Sequence, residues 1–232
     1  MADPPDRLAD VLIECLVVGP WETNCYLAAA DGSSQVVVVD PGVDAARLVR
    51  RILNDRGWAL AGVIATHGHV DHIGDAARLA NESGVPMWLH SADDYMLATP
   101  SVGLGADSRD LMQALYQDEL PTPQQRVDLA DRVSIDIAGL HFDVLPAPGH
   151  TPGSVILTAA TDDGPIAWVG DVVFKGSIGR TDLPGGNPSA MSQTLREMVL
   201  PLDDATRLLP GHGPSTTMRR ERFGNPYFMA AR

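Results

Sequence analysis

Cysteine, lysine and aromatic rings are all scarce in this chain. Two cysteines, Cys15 and Cys25, fall short of the disulfide framework a secreted domain would carry, so both are expected reduced and structural, in or beside early strands. Lys175 is the only lysine, a bias that reads as genomic base composition. Positive charge is short as a whole. Lys and Arg total 17 against 30 Asp and Glu, a formal net charge of −13. That argues against a nucleic-acid binder, whose surface must meet phosphates with Lys and Arg. No run approaches 18 apolar residues, so no membrane span is expected. Met1 to Asp10 carries Asp and Pro where a signal peptide would carry a basic patch and an apolar run. A soluble, cytoplasmic protein is expected. No Gly-x-Ser-x-Gly elbow is present, so no serine nucleophile is signalled.

What is present suits one globular domain spanning residues 1–232. Apolar residues make up 44% of the 232, ample for a core. β-Branched apolar runs predict strands at Val11–Val18, Asn24–Ala30 and Gln35–Val39. The last ends in Asp40-Pro41-Gly42, which is turn chemistry. Leu48, Ile52 and Leu53 share one face of a helix expected over Ala45–Arg56, closed by Gly57. A strand at Gly62–Thr66, a helix over Ile73–Ser83 and a strand at Pro86–Leu89 follow. Residues 91–125 mix acids, Pro, Gly and a helical patch at Asp110–Leu120, and read as a lid-like excursion. A second strand-rich half covers Val133–Ile137, Leu140–Leu145, Ser154–Ala159 and Ile166–Val169. After it come a Gly/Pro-rich loop over 175–188, a helix near Ala190–Val199, a strand at Thr206–Leu209 and a further helix in the tail. Strands with attached helices in both halves predict an α/β fold of two face-to-face sheets with helices outside, a four-layer αββα sandwich.

The chemistry concentrates in Thr66-His67-Gly68-His69-Val70-Asp71-His72. In extended chain, residues two apart face the same side, so His67 and His69 can grip one ion. Asp71 and His72 lie where the chain turns and can face a second position. Gly68 and Gly74 allow tight backbone there. A structural zinc site would close with four ligands, commonly including Cys. Here no Cys is near, and the ligands exceed what one tetrahedral ion needs. A surface loop rich in His by chance would leave the other histidines scattered. Instead His150 sits in Pro148-Gly149-His150-Thr151-Pro152-Gly153, and His212 in Pro210-Gly211-His212-Gly213-Pro214. Each ends an apolar strand in a Gly/Pro turn, and Asp171 follows Ile166–Gly170 in the same way. The set points to a catalytic, two-metal site. His90 and His141 lie outside it and read as structural.

The order His-x-His-x-Asp-His, then His150, Asp171 and His212, resembles the metallo-β-lactamase superfamily. Within it the chain looks most like the short glyoxalase II-like hydrolases, the hydroxyacylglutathione hydrolase family. The supporting stretches are Trp21–Leu27, Gly170–Asp182 and Glu221–Pro226. The resemblance implies that His67, His69 and His150 hold one divalent ion and Asp71, His72 and His212 a second, with Asp171 bridging. Zinc is the first choice, and iron or manganese would also suit His/Asp ligation. β-Lactamases of the superfamily usually lack such a bridging Asp, so Asp171 favours the hydrolase branch. The implied reaction is hydrolysis of a thioester such as S-D-lactoylglutathione by a metal-bridging hydroxide, with Asp71 and Asp171 in the catalytic centre. Arg180, and more weakly Lys175, would meet the thiol carrier. The alternatives are a persulfide dioxygenase with one iron, whose Gly-Arg-Thr-Asp stretch is matched at Gly179–Asp182, and another superfamily hydrolase such as a lactonase. Larger glyoxalase II enzymes add a C-terminal helical domain for glutathione, whereas about twenty residues follow His212 here. The thiol carrier is therefore open.

Overall fold

The computed structural model describes residues 6–8, 11–105, 108–116, 119–130 and 133–231. Most of Met1 to Asp10 thus lies outside the described residues, as do four positions within 91–125. Seven strands form the first sheet: β1 (Asp6–Leu8), β2 (Val11–Val18), β3 (Thr23–Ala30), β4 (Gln35–Val39), β5 (Ala59–Ile64), β6 (Met87–Leu89) and β7 (Arg126–Asp128), in that spatial order. The β2–β3 hairpin pairs from Val11↔Ala30 to Val18↔Thr23. From β4 onward the strands are parallel and need crossovers. Helix α1 (Ala45–Arg56) makes the first, burying Ala45, Ala46, Val49, Ile52 and Leu53. It stops at Gly57, left-handed with φ 64°, whose N–H returns to the last carbonyls.

The second sheet runs β15-β14-β11-β10-β9-β8: β8 (Ser134–Ile137), β9 (Leu140–Pro146), β10 (Val155–Ala159), β11 (Ile166–Gly170), β14 (Arg207–Pro210) and β15 (Thr216–Thr217). Its side chains alternate between two cores, as a pleated strand dictates. Val155, Leu157, Ile166, Trp168 and Leu209 join the first sheet in the central core. Phe142 and Trp168 meet edge to face there at 5.2 Å. Ile156, Ala167, Val169 and Leu208 turn outward onto Met191, Leu195, Met218 and Phe228. Helices α4 (Asp94–Ala98), α5 (Ser101–Leu104) and α6 (Arg109–Tyr116) lie between β6 and β7, Met191 belongs to α7 (Pro188–Thr194), Met218 to α8 (Met218–Gly224) and Phe228 to α9 (Pro226–Ala230). The result is the helix–sheet–sheet–helix sandwich expected from the sequence.

Three local expectations change. The helix expected over Ile73–Ser83 is two pieces, α2 (Val70–Ile73) and α3 (Ala76–Ser83). Asp75 sits at the break, and its Oδ2 accepts from Ala46 N at 2.9 Å, capping α1 rather than its own helix. Gly74 is right-handed, with φ −52°, so its role is space and not backbone freedom: a Cβ there would lie 2.5 Å from the Tyr116 hydroxyl. The Gly/Pro stretch over 175–188 begins inside a small hairpin of β12 (Val173–Phe174) and β13 (Ser177–Ile178). Helix α7 starts at Pro188 because Asn187 caps it, accepting from Ser189 N and Ala190 N, and a π turn continues it to Val199.

Candidate metal centre

The site follows from strand direction. β9 and β11 both run antiparallel to β10, and β14 runs parallel to β11. The three therefore end at one edge of the sheet. His150, Asp171 and His212 come just after those ends, and the His67–His72 segment comes after β5. Cross-sheet bonds hold the edges together. Val155 N donates to Thr66 O at 2.9 Å. Asn24 Nδ2 donates to Pro210 O and Gly213 O at 2.9 and 2.8 Å, and Tyr26 Oη to Pro210 O at 2.7 Å. Polar Asn24 and Tyr26 are buried in β3 to aim the His212 loop.

All seven ligand-type residues converge. Three sets have donor atoms within 4.8 Å of one another and could hold a metal ion: His67/His69/His150, His67/His72/Asp171 and Asp71/His72/His212. His69 Nδ1 is 3.2 Å from His67 Nε2 and 2.9 Å from His150 Nε2. His212 Nε2 is 3.1 Å from Asp71 Oδ2. Asp171 lies between the halves. Its Oδ1 is 3.3 Å from His72 Nε2, and its Oδ2 is 3.5 Å from both His150 Nε2 and His212 Nε2. Burial is deep for six of the seven, from His72 at 0% exposed to Asp171 at 9%, and only His212 is half-buried. His72 Nε2 and Asp171 Oδ1 are buried without a hydrogen-bond partner. Orphaned polar atoms are expensive unless something else satisfies them, and a cation between them would.

Each of the five histidines turns its other nitrogen to a fixed partner. His67 Nδ1 meets Thr66 Oγ1 at 3.2 Å, and His69 Nε2 meets Gly103 O at 3.1 Å. His72 Nδ1 meets Asp40 Oδ2 at 3.0 Å, His150 Nδ1 meets Arg180 O at 2.7 Å and His212 Nδ1 meets Trp21 O at 3.0 Å. Such outer partners set the tautomer and leave a lone pair facing inward. Electrostatics divide the site. Burial holds His67 well below its ordinary range and lowers His69 to about 4, keeping them neutral. For His72 and His212 burial is outweighed by nearby carboxylates: Asp171, Asp71 and Asp40 push His72 up strongly, and Asp171 and Asp71 push His212 up to about 10. In return His72 and His212 hold the carboxyls of Asp171 and Asp71 below their ordinary values despite burial. His67 and His69 thus offer neutral nitrogens, whereas the Asp71/His72/His212 side mixes nitrogen with carboxylate oxygen.

The profile of the metallo-beta-lactamase superfamily matches residues 18–212, which span the whole ligand set. The chain belongs to that superfamily. An uncharacterized protein of Mycobacterium tuberculosis is 39% identical over 221 residues, covering 94% of this chain and 97% of its own. Hydroxyacylglutathione hydrolase GloC of Haemophilus influenzae is 31% identical over 220 residues, covering 93% and 97%. Among solved structures, BLEG-1 B3 metallo-beta-lactamase superposes with TM-score 0.79 at 30% identity, covering 93% of this chain and 99% of its own. The di-iron-bound form of TTHA1623 gives 0.72 at 31% identity, covering 92% and 98%. The chain is a metallo-hydrolase of this superfamily.

Outside the ligand set, Arg180 contributes its backbone carbonyl to His150, while its guanidinium, 61% exposed, is held by Asp182 through two bonds of 2.7 Å. Lys175 is exposed in the β12–β13 hairpin. The 91–125 excursion packs against the site: Met96 and Met112 are fully buried, and Gly103 supplies the carbonyl behind His69. His90 Nδ1 accepts from Ala92 N, and His141 pairs with Asp136 at the surface, both outside the ligand cluster. Among the described residues neither Cys15 nor Cys25 forms a disulfide. Among the described residues no helix is long and apolar enough to cross a membrane. Reading the sequence alone passed over Asp40, Asp93, Asn24 and the three carbonyls behind the histidines.

Proposed function

We propose that this superfamily member binds two divalent ions and hydrolyses a thioester of a low-molecular-weight thiol, with S-D-lactoylglutathione the first substrate to test. The observation that carries the two-ion reading is Asp171, whose two oxygens face the His72, His150 and His212 nitrogens at once. His67, His69 and His150 would hold one ion and Asp71, His72 and His212 the other, with Asp171 shared. Zinc suits the donor set, as do iron and manganese. Bound divalent ions supply water activation near neutral pH and Lewis-acid stabilisation of a developing oxyanion. The thioester reading is supported by the 31% identity to a hydroxyacylglutathione hydrolase along nearly the whole of both chains.

The chain's own groups fit hydrolysis without a covalent intermediate. A thiolate departs with little acid assistance, which suits a centre whose buried histidines are all committed to outer partners. His212 is the most open of the seven candidate ligands, its side chain 26% exposed. Phe174 lies 6.0 Å from its ring, and the Trp21 carbonyl sits behind it. Substrate therefore approaches on that side, past the Phe174 ring. Lys175 and Arg180 follow on the same stretch and are the candidates for contact with carrier carboxylates. Arg180 would exchange Asp182 for such a partner. Carrier identity is tested by following thiol release from S-D-lactoylglutathione and from the esters of other small thiols. Release from another thiol's ester alone would replace glutathione and keep the chemistry. Oxygen uptake with a persulfide by a one-iron protein would instead sink the hydrolase reading.

A further inference from the structure

Asp93 is fully buried, yet it belongs to neither half of the ligand set. It sits in the short turn Ser91–Asp93 after β6, in the excursion between β6 and β7. Its Oδ2 accepts from Gly68 N at 2.8 Å and from Thr151 Oγ1 at 2.7 Å, and its Oδ1 accepts from Gly153 N at 2.7 Å. Gly68 lies between His67 and His69, and Thr151 directly follows His150. One carboxylate therefore ties the loop carrying two of the three histidines to the loop carrying the third. The ties are short, charge-assisted and shielded from water, the setting in which such bonds are strongest.

Neighbouring residue identities fit this role. A Cβ at Gly68 would lie 2.8 Å from Asp93 Cβ, and one at Gly153 would lie 2.7 Å from Asp93 Cγ. Both loops are glycine where the carboxyl approaches. Thr151 Oγ1, having donated to Asp93, is 2.8 Å from Ser154 Oγ, which also accepts from Thr151 N at 3.1 Å. Asp40 anchors His72 directly and reaches His67 through Thr66, but it touches neither His69 nor the His150 loop.

We propose that Asp93 is a positioning residue dedicated to the His67/His69/His150 half of the centre, setting the distance between its two loops and hence metal retention in that half alone. This rests on the two-ion reading above. The test loads cobalt(II) into the wild type, Asp93→Ala, Asp93→Asn and Thr151→Val, and follows absorption and release to EDTA. His69→Ala and His212→Ala identify which part of the spectrum and which release phase belongs to each half. The expected result is release from the His69-dependent position faster by about 10- to 100-fold in Asp93→Ala, as outer-shell losses typically give, with the His212-dependent position unchanged. Asp93→Asn, which keeps an oxygen for Gly68 and Thr151, falls between Ala and wild type. If Asp93→Ala does not fold, Thr151→Val carries the test, since it keeps side-chain shape and removes one tie. Equal acceleration of both phases would overturn the proposal, as would wild-type release in every variant. Wild-type protein that takes up no cobalt would sink the reading of the centre itself, and the proposal with it.

Discussion

Asp40 Oδ2 lies 3.0 Å from His72 Nδ1 and also accepts from Thr66 Oγ1 at 2.7 Å. One carboxylate thus orients His72 directly and His67 through the Thr66 hydroxyl. Thr66 N donates to the other oxygen at 2.7 Å. Asp40 is itself left-handed, with φ 53°, an uncommon conformation for a residue with a side chain and one that clusters at functional sites. Replacing Asp40 with Ala leaves three buried donors unmatched, each worth about 1–3 kcal/mol. The expected outcome is a clear drop in melting temperature and metal affinity lower by about 10- to 100-fold, read by chelator competition. Wild-type affinity in a folded Asp40→Ala protein would contradict the role.

Metal uptake is expected to release protons. Without an ion, His212 titrates at about 10 and His72 well above its ordinary value, so both are protonated at neutral pH. An ion needs their lone pairs and must displace those protons. Affinity therefore rises with pH through the neutral range. Calorimetric titration with zinc in two buffers of different ionisation enthalpy should give different apparent heats at the same pH, and identical heats would rule the exchange out.

Gly211 gives a steric test. An added Cβ would sit 2.2 Å from Asp171 Oδ1, which lacks a hydrogen-bond partner, and 2.5 Å from His72 Cε1, next to the equally unpartnered Nε2. Gly211→Ala should lose metal by elemental analysis. Gly213→Ala is the control. Its φ of +69° meets open space, so only backbone strain of about 1–2 kcal/mol is expected, with metal content kept.

The seven candidate ligands stand out in the sequence because His67–His72 follow an apolar strand directly and His150, Asp171 and His212 each follow one through a glycine. Helix α1 was legible to the residue because its apolar spacing and Gly57 agree. The partners behind His69, His150 and His212 were not, since they are main-chain carbonyls of Gly103, Arg180 and Trp21, and any residue type supplies one. Asp40 was hidden inside an Asp-Pro-Gly turn that explains itself without a site. Asp93 was one acid among several in 91–125. Asn24 and Tyr26 did leave a usable signal, being polar-tipped residues in a strand that is otherwise small and apolar. The α2–α3 break was invisible because Asp75 caps a helix thirty residues earlier in the chain, and local pattern does not report such contacts.

Stability should respond to Glu14. Its side chain is 4% exposed on β2, and Arg56 at the end of α1 lies 3.0 Å away. Burial raises its carboxyl above the ordinary 4.5, and Arg56 only partly opposes this. The folded state thus holds the proton more tightly than the unfolded chain. The associated stability is full below the unfolded value and is lost as pH rises through the folded one. Glu14→Gln, which imitates the neutral form, should gain melting temperature relative to wild type between pH 4 and pH 7. A relative loss over that interval would reverse the sign.

The most direct measurement is metal stoichiometry and thioester turnover in Asp171→Ala beside the wild type. The wild type should hold two ions per chain and release thiol from a thioester. Asp171→Ala should hold at most one and turn over at least about 100-fold more slowly, since it loses a shared ligand and not merely an outer partner. Two tightly held ions with full turnover in Asp171→Ala, or a single ion in a fully active wild type, would contradict a centre joined by Asp171.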